Sequence, residues 1–199
     1  LCGNVYDGVK PCSLQQIAMA LDACNLPMQV AHCLQNLRGD FSVIIHKTTM
    51  ACIAVSHTRL YPLFYRFVNN DWHITDNPAI LHQKADVISP EACRQYLYTG
   101  APLAGNTLVK GLKQGKPAYV TLFEEQRITT LPFGPYTAPI GTPFLEKTEA
   151  DKAFETVLQT VFKRVLNSVA DRQVVVPLSG GYDSRLVLAM LHKMGVKNV

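Results

Sequence analysis

The sequence lacks three features that would each indicate a class of protein: a long hydrophobic run, a basic run and a closely spaced cysteine pair. Because a membrane-spanning helix needs about 20 consecutive apolar residues, we expect no membrane partner. No stretch of lysine and arginine is interleaved with aromatic residues, so we expect no nucleic-acid partner. No Cys-x-x-Cys pair and no paired Cys/His spacing is present, which argues against a zinc site.

Charge is also scarce, since only 17% of the 199 residues are charged and the net charge is +4. With 48% hydrophobic residues, the chain has enough apolar side chains for a core and does not have the composition of a disordered segment. Four of the six cysteines fall within apolar, regular segments: Cys24, Cys33, Cys52 and Cys93. Because no signal peptide is visible, we expect these to be buried thiols in a reducing cytoplasm.

The first two thirds of the chain alternate between helix and strand patterns. Residues 13–16 match a capping box at the start of one helix, and Asn25 is the expected cap of the next, with Pro27 in its first turn. Strand pairs and helices follow, the pairs at 41–45 with 50–55, 63–68 with 72–75 and 120–123 with 127–130, and the helices at 78–82 and 90–98. This order predicts an antiparallel sheet with helices packed against it, an α+β domain over residues 1–131.

A second domain is predicted over residues 148–199, after a linker at 132–147 that is rich in proline and glycine. Its first helix carries a hydrophobic stripe that indicates core packing: Phe154, Val157, Leu158, Val161, Phe162, Val165, Leu166 and Val169. The valines at 174–176 then predict a strand that is buried on both faces, as in a parallel sheet. One strand and one helix cannot cover such a strand. We therefore expect the sequence, which starts at Leu1 and stops at Val199, to be a fragment of a longer polypeptide.

Between this strand and the next helical pattern lies the run Ser179-Gly-Gly-Tyr-Asp-Ser-Arg185. Glycines at a helix N-terminus allow backbone N–H groups to approach a phosphate closely. In this interpretation the two serines donate hydroxyls, Arg185 adds a guanidinium suited to phosphate, and Asp183 caps the helix or binds Mg²⁺. The spacing fits neither a Walker A loop nor a dinucleotide fingerprint. An ordinary strand–turn–helix with a serine cap has the same spacing, and this alternative stays open.

The segment from Ser179 to Ser184 resembles the pyrophosphate loop of ATP pyrophosphatase-type enzymes. These include asparagine synthetase, GMP synthetase, NAD synthetase and certain tRNA-modifying enzymes. The resemblance implies ATP and Mg²⁺ as cofactors, with Leu178 lining the nucleotide pocket and Asp183 as the magnesium ligand. The implied ATP- and pyrophosphate-binding residues are Leu178, Ser179, Gly180, Gly181, Asp183, Ser184 and Arg185.

The features ahead of this loop resemble the glutaminase domain of the asparagine synthetase family. Residues 37–65 resemble its Leu-x-Gly-x-Phe strand, hairpin and Arg-x-x-x-x-Pro-Leu run, residues 98–115 resemble a later part, and residues 3–6 resemble its Asn-Gly-Glu-Ile-Tyr segment. The resemblance implies an Ntn-hydrolase-like, class II amidotransferase domain, followed by the start of an α/β pyrophosphate-loop domain. It also implies that Gly3 and Asn4 bind glutamine, although Cys2 and Asn4 replace the family's Asn and Glu.

The function that this resemblance implies is an ATP-dependent ligase of asparagine biosynthesis. A carboxylate substrate would be adenylated, and ammonia or an amine, with glutamine as a possible source, would displace AMP. We expect further catalytic residues outside this sequence, so this stretch alone should be inactive. A homodimer is one assembly state that we expect the protein could adopt. Two other enzyme types stay open: a glutaminase-inactive relative such as a β-lactam synthetase or peptide cyclase, and a tRNA-modifying enzyme. A nucleotide-binding regulatory remnant is the non-enzymatic alternative.

Overall fold

The computed structural model describes residues 1–134, 146–169 and 172–199. The chain divides into two compact units, one of Leu1–Val5 with Cys12–Thr137 and the other of Tyr6–Pro11 with Ala138–Val199. Most of the predicted linker at 132–147 lies outside the described residues.

The strands of the described residues form two sheets, where the sequence predicted one. They are β1 (Cys2–Asp7), β2 (Lys10–Pro11), β3 (Arg38–Lys47), β4 (Met50–Val55), β5 (Phe64–Val68), β6 (Asp71–Thr75), β7 (Lys113–Gln114), β8 (Tyr119–Glu124) and β9 (Arg127–Pro132). One sheet has the order β2-β1-β3-β4-β8-β9, and the other has the order β6-β5-β7. The prediction of a single sheet was wrong, because β5 pairs with β6 and β7 and no ladder among the described residues joins these three strands to the other sheet. The two-residue strand β7 has no hydrophobic pattern of its own.

The strand predictions for the hairpins are confirmed. The alternation of side chains between the two faces of a strand places one face in the core. Along β3, Phe41, Val43 and Ile45 are buried, as expected for one face of a strand. In the antiparallel β3–β4 pair, Val43 lies opposite Ala54 and Ile45 lies opposite Cys52. Two helices supply further side chains to this hydrophobic cluster, α1 (Leu14–Asp22) with Ile17 and Leu21, and α2 (Pro27–Gln35) with Val30, Ala31 and Leu34.

The starts of α1 and α2 differ from the predicted caps. Ser13 is the N-cap of α1, but its side chain accepts no capping hydrogen bond. The N-cap of α2 is Leu26 and not Asn25. The Gln29 side-chain oxygen instead accepts hydrogen bonds from the N–H groups of Asn25 at 2.8 Å and Leu26 at 3.1 Å. A glutamine three residues into a helix can reach back in this way and satisfy the N–H group of the cap residue.

The segment between β6 and the next helix is held by one ion-pair network. It contains a 3₁₀ helix (Pro78–Leu81) and leads into α3 (Pro90–Thr99), in agreement with the predicted helices. An Nη2 atom of Arg66 lies 2.5 Å from Oδ1 of Asp86, whose Oδ2 accepts the Gln83 N–H at 2.9 Å. The hydrogen bond from the Arg66 guanidinium holds the pKa of the Asp86 carboxyl well below its usual range, and the Gln83 N–H group makes a smaller contribution in the same direction.

The second unit contains α4 (Lys147–Val169) and α5 (Tyr182–Lys193). The predicted stripe of α4 divides into two. Phe162 is buried, and Leu158 and Leu166 pack with it against Met190 and Leu191 of α5. The prediction that the whole stripe is core packing was therefore wrong, because the adjacent positions stay exposed: Phe154, Val157, Val161 and Val165.

Residues 174–176 do not form the predicted strand. Strands are defined by a ladder of backbone hydrogen bonds, and no strand of the described residues lies beside this segment. The Val174 N–H does donate to the carbonyl of Asn198 at 2.9 Å. Burial on both faces is also wrong, because Val174 and Val176 pack against the helices while Val175 is 80% exposed.

The architecture is α+β, with antiparallel strand pairs and helices, as the sequence predicted. None of the helices in the described residues is both long and apolar enough to cross a membrane.

Candidate functional site

The candidate loop enters the N-terminus of α5, the position at which the sequence placed it. Gly181 is the N-cap of this helix and no side chain caps it. Asp183 lies in the first turn but does not act as the cap, so that alternative role is not observed. An uncapped helix start leaves its first N–H groups available to an external acceptor, and the helix dipole favours a negative charge there. The loop therefore presents unpaired donors to an anion.

Gly180 has a backbone conformation that suits close approach to a ligand. Its φ is +78°, in the left-handed region that glycine enters without steric cost, and an added Cβ would meet nothing within 4 Å. The glycine is thus required by the loop's conformation and not by neighbouring protein atoms. At Gly181 a Cβ would meet only the Ser179 hydroxyl, at 3.4 Å. Open space therefore surrounds the Cβ position at Gly180, and a single hydroxyl borders that of Gly181.

The two serines of the motif are brought together. Their Oγ atoms lie 3.3 Å apart, although Ser179 and Ser184 are five positions apart along the chain. Ser179 Oγ also accepts the Gly181 N–H at 3.4 Å, and Ser184 donates to the Gly181 carbonyl at 3.3 Å. Each hydroxyl has a single proton but can rotate, so each serine can turn its O–H group toward an oxygen atom of a ligand.

Arg185 is engaged differently from the sequence interpretation, which assigned its guanidinium to phosphate. Its Nη2 donates to the Gly180 carbonyl at 2.7 Å, and its Nε donates to the Gly181 carbonyl at 3.3 Å. The guanidinium also lies 5.1 Å from the ring centre of Tyr182. The sequence signal for this contact was the i, i+3 spacing on the helix. The two hydrogen bonds to the loop carbonyls stabilise the turn. The other N–H groups of the guanidinium can still donate to a ligand.

The remaining predicted loop residues are exposed. Leu178 is 61% exposed, so its apolar side chain is accessible to a ligand such as a nucleobase. Asp183 is exposed in the first turn of α5. Among the described residues no group of three or more His, Cys, Asp or Glu side chains forms a metal cluster. A single carboxylate nonetheless fits Mg²⁺ that is bound mainly by phosphate oxygens and water.

A separate cavity of about 570 Å³ lies beside the start of β1 in the first unit. Cys2 contributes to its wall, together with Ser42 of β3 and Asp76 after β6. Gly3 and Asn4, the predicted glutamine-binding residues, are not among the lining residues. The complete lining comes from four separated segments: Leu1, Cys2, Ser42, Ile44, Leu60, Tyr61, Pro62, Leu63, Ile74, Thr75 and Asp76. No local sequence signal joins these segments, which is why the sequence did not predict the cavity.

Packing within the first unit explains why residue 3 is a glycine. Its φ is +130°, and an added Cβ would lie 2.1 Å from the Asp40 carbonyl oxygen and 2.6 Å from the Phe41 Cα. The backbone of β1 therefore approaches β3 too closely for any side chain. This contact explains the glycine without a ligand, and its role in glutamine binding stays a prediction.

Comparison with known proteins adds no relative to these observations. No protein-family model matches the chain, and no curated protein sequence matches it.

Proposed function

We propose that the chain belongs to an ATP-dependent, amide-forming enzyme of the asparagine synthetase type. The observation that carries this proposal is the uncapped start of α5, where Gly180 and the two serines surround open space. This arrangement has the backbone and hydroxyl donors that bind a pyrophosphate group, and an added Cβ at Gly180 would meet no atom within 4 Å. The order of an α+β unit followed by this loop supports an Ntn-hydrolase-like domain ahead of a synthetase domain. The free thiols support the cytoplasmic location that we propose with it.

In this function the loop binds the phosphates of ATP. First-turn N–H groups of α5 and the hydroxyls of Ser179 and Ser184 donate to phosphate oxygens. Leu178 contacts the nucleoside, and Arg185 keeps the turn in shape through its bonds to the loop carbonyls. Asp183 is the residue of this loop that would hold Mg²⁺, which neutralises phosphate charge when bound.

The chemistry begins with a substrate carboxylate. One carboxylate oxygen attacks the α-phosphorus, the bond to the bridging oxygen breaks, and pyrophosphate leaves with the electron pair. Negative charge grows on the departing group, where preorganised N–H and O–H donors stabilise it most effectively. Ammonia or an amine then attacks the acyl carbon and AMP departs, leaving an amide.

One observation favours a relative that does not hydrolyse glutamine as a second candidate. The predicted glutamine-binding positions, Gly3 and Asn4, do not line the cavity beside β1, and Gly3 is already explained by its contact with β3. In this version the amine comes from ammonia or from the substrate itself. Both candidates use the same loop and the same adenylation step.

The test measures release of pyrophosphate and AMP by the whole protein, with a panel of carboxylates and with glutamine, ammonium or an amine as nitrogen donor. We expect Asp183→Asn to lower turnover at least tenfold. The matched control is Asp151→Asn, since Asp151 is also exposed, near the start of α4. Equal turnover in both variants would overturn the role of Asp183. No AMP with any substrate would overturn the adenylating function, and activity with glutamine would overturn the second candidate.

A further inference from the structure

Two cysteine side chains meet between the first two helices of the first unit. Cys24 follows the end of α1, and Cys33 lies in the last turns of α2. Their sulfur atoms are 3.6 Å apart, and the two residues are separated by nine positions in sequence. All six cysteines are free thiols in this structure. The Cys24–Cys33 contact brings two of these thiols within reach of each other.

The two thiols have different surroundings. Cys24 is only 5% exposed, and its Sγ also donates to the Ala20 carbonyl at 3.4 Å. Burial, and then the hydrogen bond with Cys33, raises the pKa of the Cys24 thiol. Cys33 is half-buried and faces a cavity of about 250 Å³, which Cys12 also lines. A small oxidant can therefore reach Cys33 through the cavity, while Cys24 is protected.

We propose that Cys24 and Cys33 are a reversible oxidation site, in which a peroxide oxidises Cys33 and Cys24 closes the disulfide. The sequence predicted buried thiols of a reducing cytoplasm for both residues. The distance between the sulfur atoms and the difference in their access give them distinct roles. Cys33 is the peroxide-reactive thiol, and Cys24 is the resolving thiol.

The reaction balances with hydrogen peroxide as the only co-reactant. The Cys33 thiolate attacks one peroxide oxygen, an S–O bond forms, the O–O bond breaks, and the leaving hydroxide takes a proton to become water. The Cys24 sulfur then attacks the Cys33 sulfenic acid, an S–S bond forms, and the S–O bond breaks. The second hydroxide leaves as water with the Cys24 proton. Two thiols are oxidised by two electrons in total, and the peroxide is reduced to water.

Closing the bond requires only a small movement. A disulfide has sulfur atoms about 2.0 Å apart, so the thiols must approach from their present 3.6 Å. Lys47 holds the segment that carries Cys24, because its Nζ donates to the Cys24 carbonyl at 2.9 Å and also to the Asp22 carbonyl. Movement of the Cys33 side chain toward this anchored residue is the simplest way to close the distance.

A peptide map of the whole protein tests the site without any substitution. A protease that cuts before aspartate places Cys24 and Cys33 alone together on peptide 22–39, and places Cys12 on peptide 7–21. After hydrogen peroxide treatment and alkylation of the denatured protein, we expect peptide 22–39 to lack both alkyl groups and to have lost two hydrogens. A dithiol reductant should restore both alkylation sites. If peptide 22–39 stays fully alkylated, or becomes linked to peptide 7–21, the proposed pair is wrong.

Single substitutions test the two roles. In Cys24→Ser, we expect the sulfenic acid of Cys33 to persist and to be trapped by dimedone. In Cys33→Ser, we expect no sulfenic acid on Cys24 and no disulfide. The matched control is Cys93→Ser, a half-buried cysteine in α3, which should leave the oxidation of peptide 22–39 unchanged. Dimedone labelling of Cys24 in Cys33→Ser would overturn the assigned order of attack.

Discussion

Replacing Gly180 with alanine separates the folding role of this residue from its proposed binding role. The substitution places a Cβ on a residue with φ of +78°, where no protein atom lies within 4 Å. The cost to folding is therefore conformational and not steric. A left-handed conformation costs a residue other than glycine about 1–2 kcal/mol, and the reduced entropy of the unfolded chain offsets about 0.4–1 kcal/mol of this. We expect a net loss of about 1 kcal/mol in the free energy of unfolding.

The effect on ligand binding should be larger than this stability effect. The new methyl group occupies the space in which a phosphate would approach the loop. Losing one charge-assisted hydrogen bond costs about 1.5–3 kcal/mol. This corresponds to an increase of about ten- to hundredfold in Kd for ATP and for pyrophosphate.

Gly195→Ala is the matched control in the same unit. Gly195 has φ of +73° and also has nothing within 4 Å of an added Cβ, but it follows the C-terminal end of α5. Both variants should lose similar stability in thermal unfolding followed by circular dichroism. Only Gly180→Ala should weaken binding in calorimetric titrations with Mg-ATP and with pyrophosphate. Unchanged binding by Gly180→Ala would refute the phosphate role of the loop, and equal weakening by both variants would attribute the effect to α5 stability.

Two further predictions concern the first unit. Gly3→Ala should destabilise it by several kcal/mol, since the new Cβ would lie 2.1 Å from the Asp40 carbonyl oxygen; a denaturation midpoint equal to the wild type would contradict this contact. Because Arg66 holds the pKa of Asp86 below its usual value, the pair stabilises the fold above the unfolded pKa of about 4, and this contribution is lost as the pH falls below it. In Asp86→Asn, we expect lower stability at pH 7 and a weaker loss of stability on acidification, measured by urea unfolding at a series of pH values; parallel profiles for both proteins would show that the pair does not contribute.

Much of the fold could be predicted because the relevant signals are local. The alternation in β3 and β4 and the helical spacing of α5 depend on residues that are neighbours along the chain, and these elements were found where they were expected. The short strand β7 had no such signal. Its two residues become a strand only through pairing with β5 in the second sheet.

In the candidate site, too, the sequence predicted the local features but not the contacts of individual side chains. The run from Ser179 to Arg185 already contained the glycines and hydroxyls of the loop. It could not show that Arg185 donates to the loop carbonyls, because this choice depends on how the turn closes in three dimensions.

By itself, the sequence determined the hairpins, the helices and a glycine-rich turn at a helix start, since each depends on the properties of adjacent residues. Only the tertiary structure decided which part of the α4 stripe is buried, because that depends on where α5 packs. It also decided that Cys24 and Cys33 touch, since their distance depends on how α1 and α2 are arranged around one core. Contacts between residues distant in sequence form only when packing brings them together, and no local pattern encodes them.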